Sequence, residues 1–249
     1  MLLLALLLQS DAEAKKSLDD FHKAAYKNDA ELIAGLRTLA RTSHPKVLRE
    51  LAVHLKTGSD AVRRAAAPLV GAYKDDKFAA DELLAAAQTE SGRIKTDRTG
   101  AEIGYESCLA MLAALTSVAY KPSGAKIVPF FRSRSPAVAR AAIAAASEIK
   151  NLDAVEPLIA LLHEFQSARP SVPQGPNSGR TPSTIPLPNT PLTPNHKPLP
   201  PPAAAPNPLE SVVRDALRKL TNAPGDLSKA QDWSVWWAKN KAVLKGAEK

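Results

Sequence analysis

The sequence predicts an all-α protein in which antiparallel helical hairpins stack side by side as an α-solenoid, interrupted once by a disordered proline-rich insertion. Three observations carry this prediction. Val62-Arg63-Arg64-Ala65-Ala66 returns as Val138-Ala139-Arg140-Ala141-Ala142 and, more loosely, as Val212-Val213-Arg214-Asp215-Ala216. Repeated hairpins of this kind cannot bury their apolar faces alone and stack on their neighbours. Apolar residues also recur at steps of three and four along most of the chain, the period of a half-buried helix. Aromatic residues make up only 5% of the 249, while Ala and Leu supply most of the 45% hydrophobic content, which suits closely packed helical layers.

Residues 1–14 are read as a signal peptide. Leu2 to Leu8 form an apolar run too short to span a bilayer, and Ala12-Glu13-Ala14 has the small-x-small pattern of a cleavage site, although no Lys or Arg precedes the run. An exported protein, periplasmic or extracellular, is therefore expected. No cysteine follows the run to carry a lipid anchor, and no later stretch is apolar enough for a transmembrane helix.

Residues 15–166 divide into amphipathic segments. A short leading helix is predicted over 17–27, and the next, over 29–41, places Leu32, Ile33, Leu36 and Leu39 on one face. Ser43-His44-Pro45 starts a helix that buries Val47, Leu48, Leu51, Ala52 and Leu55 and stops at Gly58. Ser59 or Asp60 caps one presenting Val62, Ala66, Leu69, Val70 and Tyr73, and 76–89 turn Phe78, Leu83, Leu84 and Ala87 inward. A charged loop runs from Thr89 to Gly100. A longer helix over 102–120 follows, with Tyr105, Leu109, Leu112, Leu115 and Val118 inward, paired with a segment around Ile127, Val128, Phe130 and Phe131. Helices over 135–149 and 153–165 close the series, with Asp153 as the expected cap of the second. Pro68 falls inside its helix, where it removes a backbone hydrogen bond and favours a bend. Pro157 sits near a first turn, where the loss is smaller.

Ser59 to Ala66, Ser135 to Ala142 and the run Asn151-Leu152-Asp153-Ala154-Val155-Glu156-Pro157-Leu158-Ile159-Ala160-Leu161-Leu162 resemble HEAT repeats of the short type found in phycobilin lyases and many bacterial proteins. The resemblance implies a right-handed α-solenoid of the armadillo-like class and a binding scaffold. It also raises a bilin lyase or isomerase as an enzymatic alternative.

Residues 167–208 change character. Fourteen of the 21 prolines fall between Arg169 and Pro208, with no acidic residue among them, so the stretch reads as a linker that builds no core. Residues 209–249 resume the helical pattern with Leu209, Val212, Val213, Ala216, Leu217 and Leu220, then a second helix over 228–246 carrying Trp233, Trp236 and Trp237. Leu220-Thr221 and the paired tryptophans resemble the closing hairpin of bacterial HEAT proteins, which implies a capping repeat. The tryptophans share one helix face and suit either packing under that cap or an aromatic binding platform.

The net charge of +8 is uneven, with about +5 between Lys15 and Arg64. Lys46, Arg49 and Lys56 recur along one helix from His44 to Thr57 and are candidates for binding an anionic partner such as nucleic acid; a solvated helical face is the alternative. Arg64, Arg140 and Arg214 recur at matching repeat positions, which suggests contacts between neighbouring hairpins. The five histidines lack metal-ligand spacing, and no phosphate loop, dinucleotide fingerprint or nucleophile elbow occurs. Cys108, in an apolar stretch, reads as a buried small hydrophobe. No catalytic residue, cofactor or metal is expected. The reading is a non-enzymatic, monomeric protein-binding scaffold, with Lys46, Arg49, Lys56, Trp233 and Trp236 as candidate binding residues.

Overall fold

The structure, a computed structural model, describes residues 2–168, 207–225 and 227–246. Most of the linker expected over 167–208 lies outside the described residues. Among those described, the chain is all-α apart from one small hairpin. The helices are α1 (Leu2–Lys23), α2 (Asp29–Leu39), α3 (Pro45–Val53), α4 (Asp60–Gly71), α5 (Lys77–Ser91), α6 (Glu106–Val118), α7 (Gly124–Ile127), α8 (Pro136–Ile149), α9 (Val155–Ser167), α10 (Pro208–Thr221) and α11 (Ala230–Gly246). Strands β1 (Lys95–Thr96) and β2 (Glu102–Ile103) pair antiparallel between α5 and α6, with Thr96 opposite Glu102. No described helix is long and apolar enough to cross a membrane.

Local chemistry sets the helix starts. Asn28, Ser59, Asp76 and Ser135 each accept a hydrogen bond from the backbone N–H three residues on, and His44 accepts one from Lys46 through Nδ1. Each cap satisfies an amide that the first turn leaves without a partner. Pro45, Pro136 and Pro208 occupy first turns, where no amide is lost. α6, α8 and α10 end on left-handed residues, Ala119, Lys150 and Asn222, whose amides turn back to the preceding turn.

Helices α2, α4, α6, α8 and α10 pack one against the next, and α3 packs on α5 and α9 on α11. Chain neighbours α3 and α4, α5 and α6, α7 and α8, and α9 and α10 also touch. The core follows this order and is aliphatic: Leu36 and Leu39, Val62, Ala66 and Val70, Met111, Leu112 and Leu115, Val138, Ala142 and Ala146, then Val213 and Leu217 are buried. Small residues allow the closest approach. Gly71 lies so near α6 that an added Cβ would stand 3.0 Å from both the Cβ and the carbonyl oxygen of Ala114.

The structure departs from expectation in several places. The leading helix expected over 17–27 is the second half of a longer helix, α1, which runs from Leu2 to Lys23. Ala14 is fully buried, and Asp11 accepts from Lys46 Nζ at 2.8 Å, so α1 docks on α3. The loop expected from Thr89 to Gly100 holds the last turn of α5 and strand β1, and the hairpin delays α6 to Glu106. Phe78, expected inward, is 40% exposed in the first turn of α5, where one more residue of rotation carries it off the packed face. Asp153 is not a cap. Asn151 caps the 3-10 turn Leu152–Ala154 that leads into α9, accepting from the Asp153 amide, α9 itself starts without a side-chain cap, and the Asp153 carboxylate holds Lys245. The recurring arginines do not bridge hairpins as a set. Arg64 pairs with Asp60 of its own helix, whereas its neighbour Arg63 pairs with buried Glu90 of α5.

The α4–α6 approach yields a test. Gly71→Ala forces backbone apart where no flexible side chain can give way, and should cost about 1–3 kcal/mol. Urea unfolding followed by far-ultraviolet circular dichroism measures it; an unchanged midpoint would show that the two helices are less closely fitted.

Candidate functional site

The basic stripe near the start of the chain is largely neutralised internally. Lys46 pairs with Asp11 and Lys56 with Glu82 at 2.5 Å, and α3 ends at Val53, so Lys56 lies on the following turn rather than on the helix. Arg49 alone of the three is exposed without an ion pair among the described residues. Lys46 holds the Asp11 carboxyl below the ordinary aspartate range, chiefly through the hydrogen bond between them. The three cations therefore do not form a joint anion site.

The tryptophans divide. Trp233 is completely buried and meets Trp236 edge-on, ring centroids 6.1 Å apart, and its indole nitrogen has no partner among the described residues. It offers no surface, because it lies on the same face of α11 as Trp237, the face that packs on α9. Trp236 is half-buried at the edge. Trp237, absent from the predicted binding set, is 4% exposed and donates from Nε1 to Glu156 Oε1 at 3.1 Å.

Trp237 lines an open, largely apolar groove. The groove, of about 510 Å3, runs between α9 and α11, floored by Ile159, Ala160, Trp237 and Ala238, with Glu156, His163, Ser234 and Lys241 at its edges. Its walls are held by ion pairs that cross the two helices: Glu156 with Lys241 at 2.5 Å and Asp153 with Lys245 at 2.6 Å. Gln166 ties the far end, donating to Ser228 O at 3.0 Å and accepting from the Ala230 amide at 2.9 Å. The Lys241 ammonium, then the Trp237 N–H, hold the Glu156 carboxyl below the ordinary glutamate range.

Compared with protein-family models, curated proteins and solved structures, the chain matches none of them.

Elsewhere the chemistry is structural. Arg63 and Arg93 pair with buried Glu90 at 3.2 and 2.6 Å, locking α4 to α5 beneath the hairpin. Cys108 is buried beside them, and its thiol is pushed up to about 12, first by burial and then by the Glu90 charge. Among the described residues no three His, Cys, Asp or Glu side chains are placed to hold a metal ion.

Two outcomes follow. Cys108 should resist a thiol-specific disulfide reagent at neutral pH in the folded protein and react at once in denaturant; fast labelling without denaturant would contradict its burial. Glu156 has a depressed folded pKa, so its contribution to α9–α11 docking is present above the ordinary glutamate value and is lost as pH falls through the folded value. Tryptophan fluorescence should therefore change on acid titration below pH 4.5, the ordinary value, and Glu156→Gln should remove that part of the transition.

Proposed function

We propose that this chain is a non-enzymatic protein-binding scaffold: an exported, monomeric α-solenoid of HEAT type whose α9–α11 groove takes an apolar segment of a partner polypeptide. The order of helix packing supports the solenoid, since α2 to α10 succeed one another in one row while α3 meets α5 and α9 meets α11 in a second. A repeat stack exposes a long surface assembled from successive hairpins, and such surfaces hold other molecules. The groove carries the assignment of the site. An apolar floor with convergent polar edges is the usual composition of a recognition surface, and ion pairs pre-form its walls, so little ordering is left to be done on binding.

The test uses tagged full-length protein, fractionated by compartment, with cross-linked partners identified by mass spectrometry. A partner recovered with the wild type and lost with Ala160→Glu, which puts a charge on the exposed floor without disturbing the core, is the expected result. Equal recovery with both proteins, or none with either, would overturn the groove assignment.

A further inference from the structure

A second concavity lies at the hairpin, about 420 Å3 in volume and of mixed polar and apolar lining, between β2, the end of α5 and the start of α8. Strand alternation decides what faces it. Ile94, Thr96 and Glu102 line the cleft, whereas Ile103 is exposed elsewhere. The Glu102 carboxylate is fixed in position. Its Oε2 accepts at 2.5 Å from the hydroxyl of Ser135, which is 1% exposed and is itself held as the cap of α8.

The partners of Glu102 are unusual for this chain. Among the other carboxylates shielded from water, Asp60, Asp81, Glu82 and Glu90 pair with Lys or Arg, Glu50 faces His22 and His54, Asp76 caps α5, and Glu210 accepts from Gln166. Glu102 is half-buried and has the Ser135 hydroxyl alone; no Lys or Arg nitrogen among the described residues comes within 4.0 Å, although Arg134 lines the mouth of the same cleft. A positioned carboxylate with a free oxygen, set among the hydroxyls of Ser91, Thr96 and Ser133, presents acceptors only weakly compensated in a chain of net charge +8.

We propose that this cleft binds a guanidinium or ammonium group on a flexible stem, namely an Arg or Lys side chain of a partner polypeptide. The guanidinium is the better match. Its planar fork offers five donors, enough to meet the free Glu102 oxygen and the surrounding hydroxyls together. The proposal rests on the scaffold reading only for the source of that side chain; the chemistry of the cleft is independent of the α9–α11 groove. Arg134 opposes a cation at the mouth, so its removal strengthens binding of a purely basic ligand.

The probe is the blocked peptide acetyl-Gly-Arg-Gly-amide, titrated into isotope-labelled full-length protein while the amide signals of Glu102, Ser135 and Val138 are followed; acetyl-Gly-Lys-Gly-amide, spermidine and acetyl-Gly-Gln-Gly-amide are run beside it. The arginine peptide should shift those signals most strongly, the lysine peptide and spermidine less, and the glutamine peptide not at all. Glu102→Gln keeps an acceptor for Ser135 and should weaken the arginine peptide about tenfold, the loss of one charge-assisted hydrogen bond. Arg134→Gln should strengthen it, and Glu106→Gln, which removes an exposed carboxylate outside the cleft, should leave it unchanged. Equal losses with Glu102→Gln and Glu106→Gln would mean non-specific attraction and overturn the proposal, as would shifts that avoid the cleft. Preferred binding of spermidine would move the assignment from a polypeptide to a free polyamine. Partner capture lost with Ala160→Glu while the peptide fails to bind would sink the cleft and leave the groove standing; the reverse pattern would do the opposite.

Discussion

The close approach of α4 to α6 is the constraint from which the rest of the packing follows. Gly71 meets the backbone of Ala114 with no room for a methyl group, and Ala66 and Ala67 of α4 are fully buried. Helices that touch through Gly and Ala bring their backbones close, and long aliphatic side chains on either side, Val70 and Leu115 among them, fill the remaining space. That spacing fixes where α5 sits, because it packs on both α4 and α6. Once α5 is placed, Arg63 can reach Glu90, and this pair is useful for specificity more than for strength. A buried ion pair gains little over its desolvation cost, but leaving either partner alone is expensive, so α4 and α5 cannot slide past one another by a turn.

The last hairpin solves a different problem. α10 and α11 follow the proline-rich stretch of the sequence, and two helices alone bury too little to be stable. Their attachment is accordingly redundant. α10 packs on both α8 and α9, Trp233 supplies a fully buried indole, and Gln166 spends both ends of its amide on the loop that joins the two helices. The ion pairs Glu156–Lys241 and Asp153–Lys245 are exposed and individually weak. Their role is geometric: they hold α11 at the separation that keeps the α9–α11 groove open over Ile159 and Ala160.

Legibility in the sequence followed the range of the interaction. Helix starts at Ser59, Asp76 and Ser135 could be read because a cap and the amide it serves lie three residues apart. Asp153 misled because Asn151, two residues earlier, is an equally good cap and starts a 3-10 turn in which Asp153 already lies. The groove could not be read at all: Glu156 meets Trp237 and Lys241 across 81 and 85 residues. Trp237 was visible as part of an aromatic face, but periodicity alone does not say which of three neighbouring indoles reaches a carboxylate. The hairpin was hidden for another reason. Two residues per strand are too few for an alternating pattern to show, so its turn residues read only as a charged loop.

The start of the chain follows the same logic of local charge. Asp11 neutralises Lys46 and also faces His44 at 3.3 Å, so the polarity of the α3 surface depends on the first half of α1. A chain lacking residues 1–14 would lose that carboxylate together with the buried methyl of Ala14. Lys46 would then join Arg49 as a free cation on α3, and the surface read from the sequence as a basic stripe would exist in the shortened chain while it is masked in the full one.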